Sequence, residues 1–319
     1  MEKKIVGITG GTGFIGTALS RALMAQGYGV RIFTRREPKR RLEGAEYAVV
    51  SFSDEGSLAR AADGCALMVH MAAVLFSRSY EGFRKANVEG AANLAAAVAG
   101  LANPPAKIVY VSSLAAGGPA QPGTPRTEAM SDEPVSHYGA TKLAAEKHIK
   151  ALAPKVRWTI LRPPIVYGPN EYAVSKIADW VRKGVMVNPG SSSGSFSFIY
   201  VDDLTAAVIK ALGEPATDGR TFYVGENTVY RWDAFIKMLS EAMRVRMPLM
   251  IDMPRPLLWG LGLVYEAASW LIGAEPVFNR DKAREGSAAN WTLSPSEWEA
   301  ATGWKGWTPL AEGVKKTFS

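Results

Sequence analysis

Thr9-Gly10-Gly11-Thr12-Gly13-Phe14-Ile15-Gly16 is the stretch on which the reading of this 319-residue chain turns. Ahead of it, Lys4-Ile5-Val6-Gly7-Ile8 is short and rich in β-branched residues, the pattern of a buried strand. Behind it, Phe14, Ile15, Ala18, Leu19, Ala22 and Leu23 recur at helical spacing as far as Gln26, and Gly27 follows as a stop. A strand, a tight turn and a helix N-terminus aim free backbone N–H groups and the positive end of a helix dipole at one point. That point suits a pyrophosphate. Gly10 permits the turn, Gly13 lets a phosphate approach the backbone, and Gly16 lets the helix lie close to the strand. Val30-Arg31-Ile32-Phe33-Thr34 then completes a βαβ unit.

The alternation continues outward. Tyr47–Val50, Ala66–His70, Lys107–Val111 and Trp158–Leu161 read as further strands. Helices are expected over Glu55–Ala62, Tyr80–Ala102 and Tyr138–Ala153, the second stopped by Asn103-Pro104-Pro105. Gly117–Pro134 is a long proline- and glycine-rich loop, of the kind that carries function or stays disordered. Six strands alternating with helices predict an α/β fold, a Rossmann-type doubly wound parallel sheet. Past Gly168 the pattern loosens into a helix at Tyr172–Gly184, a strand at Phe196–Val201, a helix at Asp202–Leu212 and a strand at Thr221–Val224. From Tyr230 helices and loops are expected, carrying Trp232, Trp259, Trp270, Trp291, Trp298, Trp304 and Trp307, mostly as core. The expected organisation is a dinucleotide domain over 1–170, rejoined by 196–226. A smaller, mostly helical substrate region would take 171–195 and 227–319.

Composition bounds the function. Hydrophobic residues at 47% and charged residues at 21% fit a soluble globular protein. A single Cys65 excludes a disulfide framework and suits the cytosol. Met1-Glu2-Lys3-Lys4 leads straight into the first strand, so no signal peptide is expected. The net charge of +7 gathers partly in one loop, at Arg35, Arg36, Lys39, Arg40 and Arg41, without a basic and aromatic stripe elsewhere, which argues against nucleic acid. His70, His137 and His148 have no metal-ligand spacing, and no metal is expected. Leu257–Ala274 is the most apolar stretch, but Gly260, Gly262 and Glu266 interrupt it and it is short for a membrane span. A buried or lid helix is expected there, with interfacial lipid contact through 257–274 as the alternative.

Two features add chemistry. The second strand ends in Thr34-Arg35-Arg36, where a carboxylate would select NAD and an arginine accommodates the 2′-phosphate of NADP; NADPH is the expected cofactor. Tyr138 and Lys142 stand four apart on one helix face, and Ser113 ends the fifth strand on the edge where such sheets bind ligands. A phenol titrates near 10, and a nearby ammonium lowers that value. With a serine hydroxyl holding the substrate oxygen, the three would move a proton while a nicotinamide moves a hydride.

At this point the chain resembles the extended short-chain dehydrogenase/reductase family, the group of NAD-dependent epimerase/dehydratase type. The resemblance rests on residues 9–16, His70-Met71-Ala72-Ala73, Asn87-Val88-Glu89-Gly90, Val111-Ser112-Ser113, Tyr138-Gly139-Ala140-Thr141-Lys142, Arg162 to Pro169 and Tyr200-Val201-Asp202-Asp203-Leu204. It implies Tyr138 as acid/base, Lys142 on the nicotinamide ribose and Ser113 on the substrate. For the cofactor it implies Gly10, Thr12, Gly13, Phe14, Ile15, Gly16, Arg35, Arg36, Ser51, Phe52, Ala72, Ala73, Asn87, Pro164 and Val166, besides Tyr138 and Lys142. One departure stands out: Val50-Ser51-Phe52 replaces the family's usual Gly-Asp-Leu, so Ser51 stands where an aspartate usually meets adenine, and Asp54 is not its equivalent. Arg231, Arg246 and Arg255 are candidates for a substrate diphosphate.

The tail, with its expected apolar helix at Pro256–Ala274 and Trp304-Lys305-Gly306-Trp307-Thr308-Pro309-Leu310, is similar to 3β-hydroxysteroid-dehydrogenase-type and dihydroflavonol-reductase-type members. That resemblance favours a small, fairly apolar ketone or secondary alcohol as substrate. A nucleotide-sugar epimerase or dehydratase is the alternative, and a cofactor-binding scaffold without catalysis a third. Family members often form homodimers through the helix of Tyr138 and the one that starts at Tyr80.

Overall fold

The computed structural model describes residues 3–77, 79–189, 192–254 and 280–318, with Leu257 and Gly260. Arg255, Trp259, Trp270 and the rest of the apolar 257–274 stretch lie outside the described residues. Seven strands form one parallel sheet: β1 (Ile5–Thr9), β2 (Gly29–Thr34), β3 (Glu46–Val49), β4 (Leu67–His70), β5 (Lys107–Val111), β6 (Arg157–Arg162) and β11 (Arg220–Tyr223). Their order is β11-β6-β5-β4-β1-β2-β3. The chain runs outward from β1 to β3, then returns to lay β4 on the other side of β1, with His70 opposite Thr9. The carboxyl ends of β1 and β4 therefore flank the topological switch point, where open α/β sheets bind ligands.

The strands are apolar on both faces because helices cover both. One face buries Val6, Ile8 and Ile32 under α1 (Phe14–Ala25) and α8 (Val201–Gly213), with Leu19, Leu204, Val208 and, from α11 (Ser296–Thr302), Trp298. The other buries Phe33, Met68 and Ile108 under α2 (Glu55–Ala62), α4 (Gly90–Ala99) and α6 (His137–Lys150), with Leu58, Leu94 and Ile149. A third cluster, Tyr167, Val174, Phe198, Phe235, Leu239, Leu310 and Val314, forms a separate core for α7 (Tyr172–Arg182), α9 (Trp232–Ala242) and α12 (Leu310–Phe318). Among the described residues no helix is long and apolar enough to cross a membrane.

Some expected elements change form. The helix expected over Tyr80–Ala102 is α3 (Tyr80–Phe83), a π-helical turn at Arg84–Glu89 and then α4, ending at Gly100. Nothing in composition marks a π turn; it is held here by the contacts of Asn87 described below. The strand expected at Phe196–Val201 splits into β9 (Ser195–Phe196) and β10 (Phe198–Tyr200), and β10 pairs with β7 (Ile165–Tyr167). The region expected as helices and loops also contains strands. β12 (Tyr230–Arg231) and β14 (Asn290–Trp291) flank β9, and β13 (Leu249–Met253) pairs with β8 (Val185–Pro189). These strands have two to five residues, too few for a period to show, and partners 34 to 95 positions away supply the missing hydrogen bonds.

The opening turn has the close packing its glycines suggest. Gly10 sits at φ +76°. A Cβ on Gly16 would lie 2.2 Å from the Gly10 carbonyl oxygen and 2.5 Å from Gly11 Cα, both backbone atoms that cannot swing aside. Gly16→Ala is expected to cost about 1–3 kcal/mol of stability, read as a lower Tm. Because the displaced turn is the one expected to cradle a dinucleotide pyrophosphate, NAD(P)H binding, followed by nucleotide fluorescence, should weaken about tenfold or more.

Candidate active site

The cradle is open where a phosphate would enter. Gly13 is the N-cap of α1 without a side-chain cap, and no acidic residue occupies the first turn. A Cβ on Gly13 would meet nothing nearer than the Gly10 oxygen at 3.4 Å. Among the described residues no side chain caps the first N–H groups of α1, at the positive end of the helix, and such an end fits a dinucleotide pyrophosphate. Across the switch point, the Thr9 hydroxyl accepts from the Met71 and Ala72 amides, both at 3.2 Å, and lies 2.6 Å from His70 Nδ1. Two incoming amides leave the hydroxyl's own proton for Nδ1. Burial and then the Lys142 charge push His70 down to about 3, so its ring is neutral and can accept there. This contact holds Ala72 and Ala73 beside the glycine turn, and sequence reasoning had no signal for the role of Thr9. Phe14 touches the other wall near Gly168, and Ile15 and Val166 pack on the core below. Pro164 follows β6 against Gly225, and Thr12 is exposed beside the turn.

At the end of β2, Arg35 and Arg36 are exposed, and among the described residues neither guanidinium has a partner. The Thr34 hydroxyl donates to the Arg36 carbonyl at 2.8 Å, shaping the loop that presents them. Arg41, further on, is spent on Glu37 at 2.8 Å. Ser51 lies within 2.9 Å of the Ser53 hydroxyl, and Asp54 caps α2 by accepting from Gly56 at 2.9 Å. Phe52 lies against Gly90, and its carbonyl accepts from Asn93 at 2.7 Å.

Ser113, Tyr138 and Lys142 come together at the carboxyl end of β5. Ser112 and Ser113 part company there. The Ser112 hydroxyl donates to Glu146 at 2.6 Å inside the protein. Ser113 caps the short helix α5 (Leu114–Gly117) by accepting from Ala115 at 3.1 Å, and its hydroxyl is turned to the Tyr138 phenol. Lys142 is fully buried; its ammonium donates to the Val111 carbonyl at 2.7 Å and lies 4.2 Å from the Tyr110 ring centroid. That geometry corrects the expected electrostatics. The ammonium is turned toward β5, and it does not lower the phenol. Burial pushes Tyr138 above its usual range, the Glu285 charge adds to this, and the Ser113 hydrogen bond opposes it. Burial also brings Lys142 down to about 7, against the pull of Glu146.

The family model for the NAD dependent epimerase/dehydratase family matches residues 6–225, which takes in the cradle, Ser113, Tyr138 and Lys142. The chain belongs to that family. It is an NAD(P)-dependent oxidoreductase of the extended short-chain dehydrogenase/reductase type. Among curated relatives it is 29% identical to ceramide reductase of Caulobacter vibrioides (strain NA1000 / CB15N) over 320 residues, 98% of this chain and 90% of that one. It is 25% identical to UDP-glucose 4-epimerase of Vibrio cholerae over 331 residues, 99% of this chain and 95% of that one. Among solved structures, UDP-glucose 4-epimerase of Thermus thermophilus in complex with NAD superposes with a TM-score of 0.79 at 23% identity, covering 98% of this chain and 97% of that one. That likeness shows the shared fold.

In this epimerase/dehydratase chain several supporting residues were not legible as such. Asn87 is buried in the π turn: its oxygen accepts from the Val74 amide at 2.8 Å, and its nitrogen donates to the Val74 carbonyl and Thr141 hydroxyl, each at 3.2 Å. Thr141 donates in turn to the Tyr138 carbonyl at 3.0 Å. Both amide protons are used, so Asn87 acts here by positioning the loop after β4 beside α6. A buried π turn of this kind recurs at functional sites. Beneath α6, Arg162 forks onto Glu146 at 2.9 and 2.7 Å and onto Asp132 at 2.5 and 2.9 Å. The Gly117–Pro134 loop is thereby tied to the end of β6. Arg231 pairs with Asp233 and Arg246 is exposed, away from these contacts. His137 meets the Tyr80 ring edge at 5.3 Å. Among the described residues no group of three or more His, Cys, Asp or Glu could hold a metal ion.

Proposed function

We propose that the chain is an NADP-dependent reductase that interconverts a ketone and a secondary alcohol on a largely apolar substrate, with Tyr138 as the acid/base. The observation that carries this reading is the gathering of Ser113, Tyr138 and Lys142 at the carboxyl end of β5, beside the switch-point cradle. A bound nicotinamide supplies the hydride. Tyr138 gives its proton to the carbonyl oxygen as the carbon is reduced, and Ser113, whose hydroxyl can turn from the phenol to the substrate, hydrogen-bonds to the same oxygen. Lys142, held on the Val111 carbonyl, is the residue the family likeness assigns to the ribose. Replenishment of the phenol proton comes from solvent.

The rim supports an apolar substrate. Leu75, Tyr80 and Val135 are exposed at 51%, 44% and 37% around the N-terminus of α6 and the loop held by Asn87. The likeness to a ceramide reductase supports a substrate with long hydrocarbon chains. A long-chain 3-oxo ester incubated with NADPH should consume cofactor stoichiometrically, followed by absorbance at 340 nm. The likeness to the Vibrio epimerase favours a second reading. Conversion of UDP-glucose without net cofactor change would replace the first.

The phosphate preference is tested on the same assay. Arg35→Ala/Arg36→Ala removes charge-assisted hydrogen bonds worth about 1.5–3 kcal/mol in all, so KM for NADPH should rise about tenfold to a hundredfold. KM for NADH should move less than about threefold. Equal losses with both cofactors would reject a 2′-phosphate site there.

A further inference from the structure

Helix α10 (Arg280–Ser287) comes from the far end of the chain and puts two carboxylates on the first turn of the catalytic helix. Asp281 is buried; its Oδ1 accepts from the His137 amide at 2.6 Å and its Oδ2 from the Tyr138 amide at 3.4 Å. Those are two of the N–H groups that a helix start leaves without partners. The N-cap itself, Ser136, accepts from the Gly139 amide at 3.0 Å and donates its proton to Glu285 Oε1 at 2.7 Å. The Trp291 indole donates to the Glu285 carbonyl at 3.0 Å and keeps the end of α10 seated. The three contacts that Asp281 and Glu285 make with residues 136–138 each span more than 140 positions, so the pair exists through the fold alone.

Resting on the reductase reading, we propose that Asp281 and Glu285 are positioning residues for the reaction, fixing the first turn of α6 and setting a carboxylate charge beside the Tyr138 phenol. The groups that face this phenol come from three directions. From α10 there are Asp281 and Glu285, with Arg284 exposed next to them. From α6 there are His137, edge-on to Tyr80, and Lys142, turned onto the Val111 carbonyl. From the β5 edge there are Ser113 and the Tyr110 phenol. Lys142 is engaged away from the phenol, and among the described residues the Glu285 carboxylate is the charge that acts on it. A negative charge there disfavours tyrosinate. The phenol is thus held as the proton donor, the form that carbonyl reduction consumes; the hydride goes to carbon, the phenol proton to oxygen, and solvent restores the proton. Asp281 carries part of the same duty by neutralising the helix start, while α10 ties the substrate region to the catalytic helix.

The test follows the phenol directly. In protein labelled with 13Cζ-tyrosine and saturated with NADP+, the Tyr138 resonance, assigned with Tyr138→Phe, is titrated from pH 7 to 11. Glu285→Gln removes the charge and should bring ionisation on at a lower pH than in the wild type, and Glu285→Asp should stay near the wild type. In the same variant the alkaline limb of kcat/KM for reduction of the long-chain 3-oxo ester should move to lower pH, because the donor form is lost earlier. Should Glu285→Gln not fold, Glu285→Leu removes the charge from the same half-buried position. Titration curves that superimpose on the wild type from pH 7 to 11, whether or not the phenol ionises, overturn the proposal. Full activity of Tyr138→Phe would instead overturn the reductase mechanism, leaving the titration result to stand on its own.

Discussion

Tyr138→Phe is expected to lower kcat for ketone reduction by about 10²–10⁴-fold, the range a positioned acid/base contributes. The phenyl ring keeps the volume, so the packing against α5 and α10 survives and the fold should not change. NADPH affinity should stay within about twofold, or about 0.4 kcal/mol, because the cradle, Arg35 and Arg36 are separate from the phenol. Stopped-flow NADPH oxidation gives the first quantity and nucleotide fluorescence the second. The split between them matters, since a variant that lost cofactor binding would have lost the site rather than the proton donor. Turnover at the wild-type rate would remove Tyr138 from the mechanism and leave Ser113 to be explained.

Arg162→Met has the largest effect expected on stability. Arg162 is 4% exposed and its partner Glu146 is fully buried, so removing the guanidinium strands a carboxylate inside the protein. Breaking such a pair costs about 3–5 kcal/mol. For a chain of this length that lowers Tm by roughly 5–7 °C, measurable by calorimetry. Glu146 keeps the Ser112 hydroxyl at 2.6 Å and Lys150 at 3.8 Å, contacts too few to replace two forked hydrogen bonds. Arg162→Met combined with Glu146→Leu should recover much of the loss, since no charge is then left buried. A single variant as stable as the wild type would mean that the pair contributes specificity of loop placement and little energy. The cost also reaches the site, because Asp132 anchors the Gly117–Pro134 loop through the same guanidinium.

The parallel sheet was legible to within about one residue at each of β1 to β6, because a strand covered on both faces reads as an uninterrupted apolar run. The glycine turn was legible for a local reason too: strand, turn and helix are contiguous, so their relative placement follows from a dozen residues. Tyr138 and Lys142 share a helix face by spacing alone. Their electrostatic relation did not follow from spacing. Lys142 could have turned toward the phenol; the β5 carbonyl of Val111 and the Tyr110 ring drew it the other way. Ser112 and Ser113 were likewise neighbours in sequence with different fates, one taken by Glu146 and one left at the phenol.

What the sequence by itself determined about this protein is therefore what short-range pattern can encode: a doubly wound sheet, a glycine turn between its first strand and helix, two arginines after β2, and a tyrosine and a lysine on one helix face. What the tertiary structure alone decided is which charges surround the tyrosine. Thr9 reaches His70 across 61 positions, Asn87 reaches Thr141 across 54, and Asp281 reaches His137 across 144. No periodicity connects such residues. A polar group taken out of water must find a partner wherever the fold brings one, and that partner is set by three-dimensional closure of the chain.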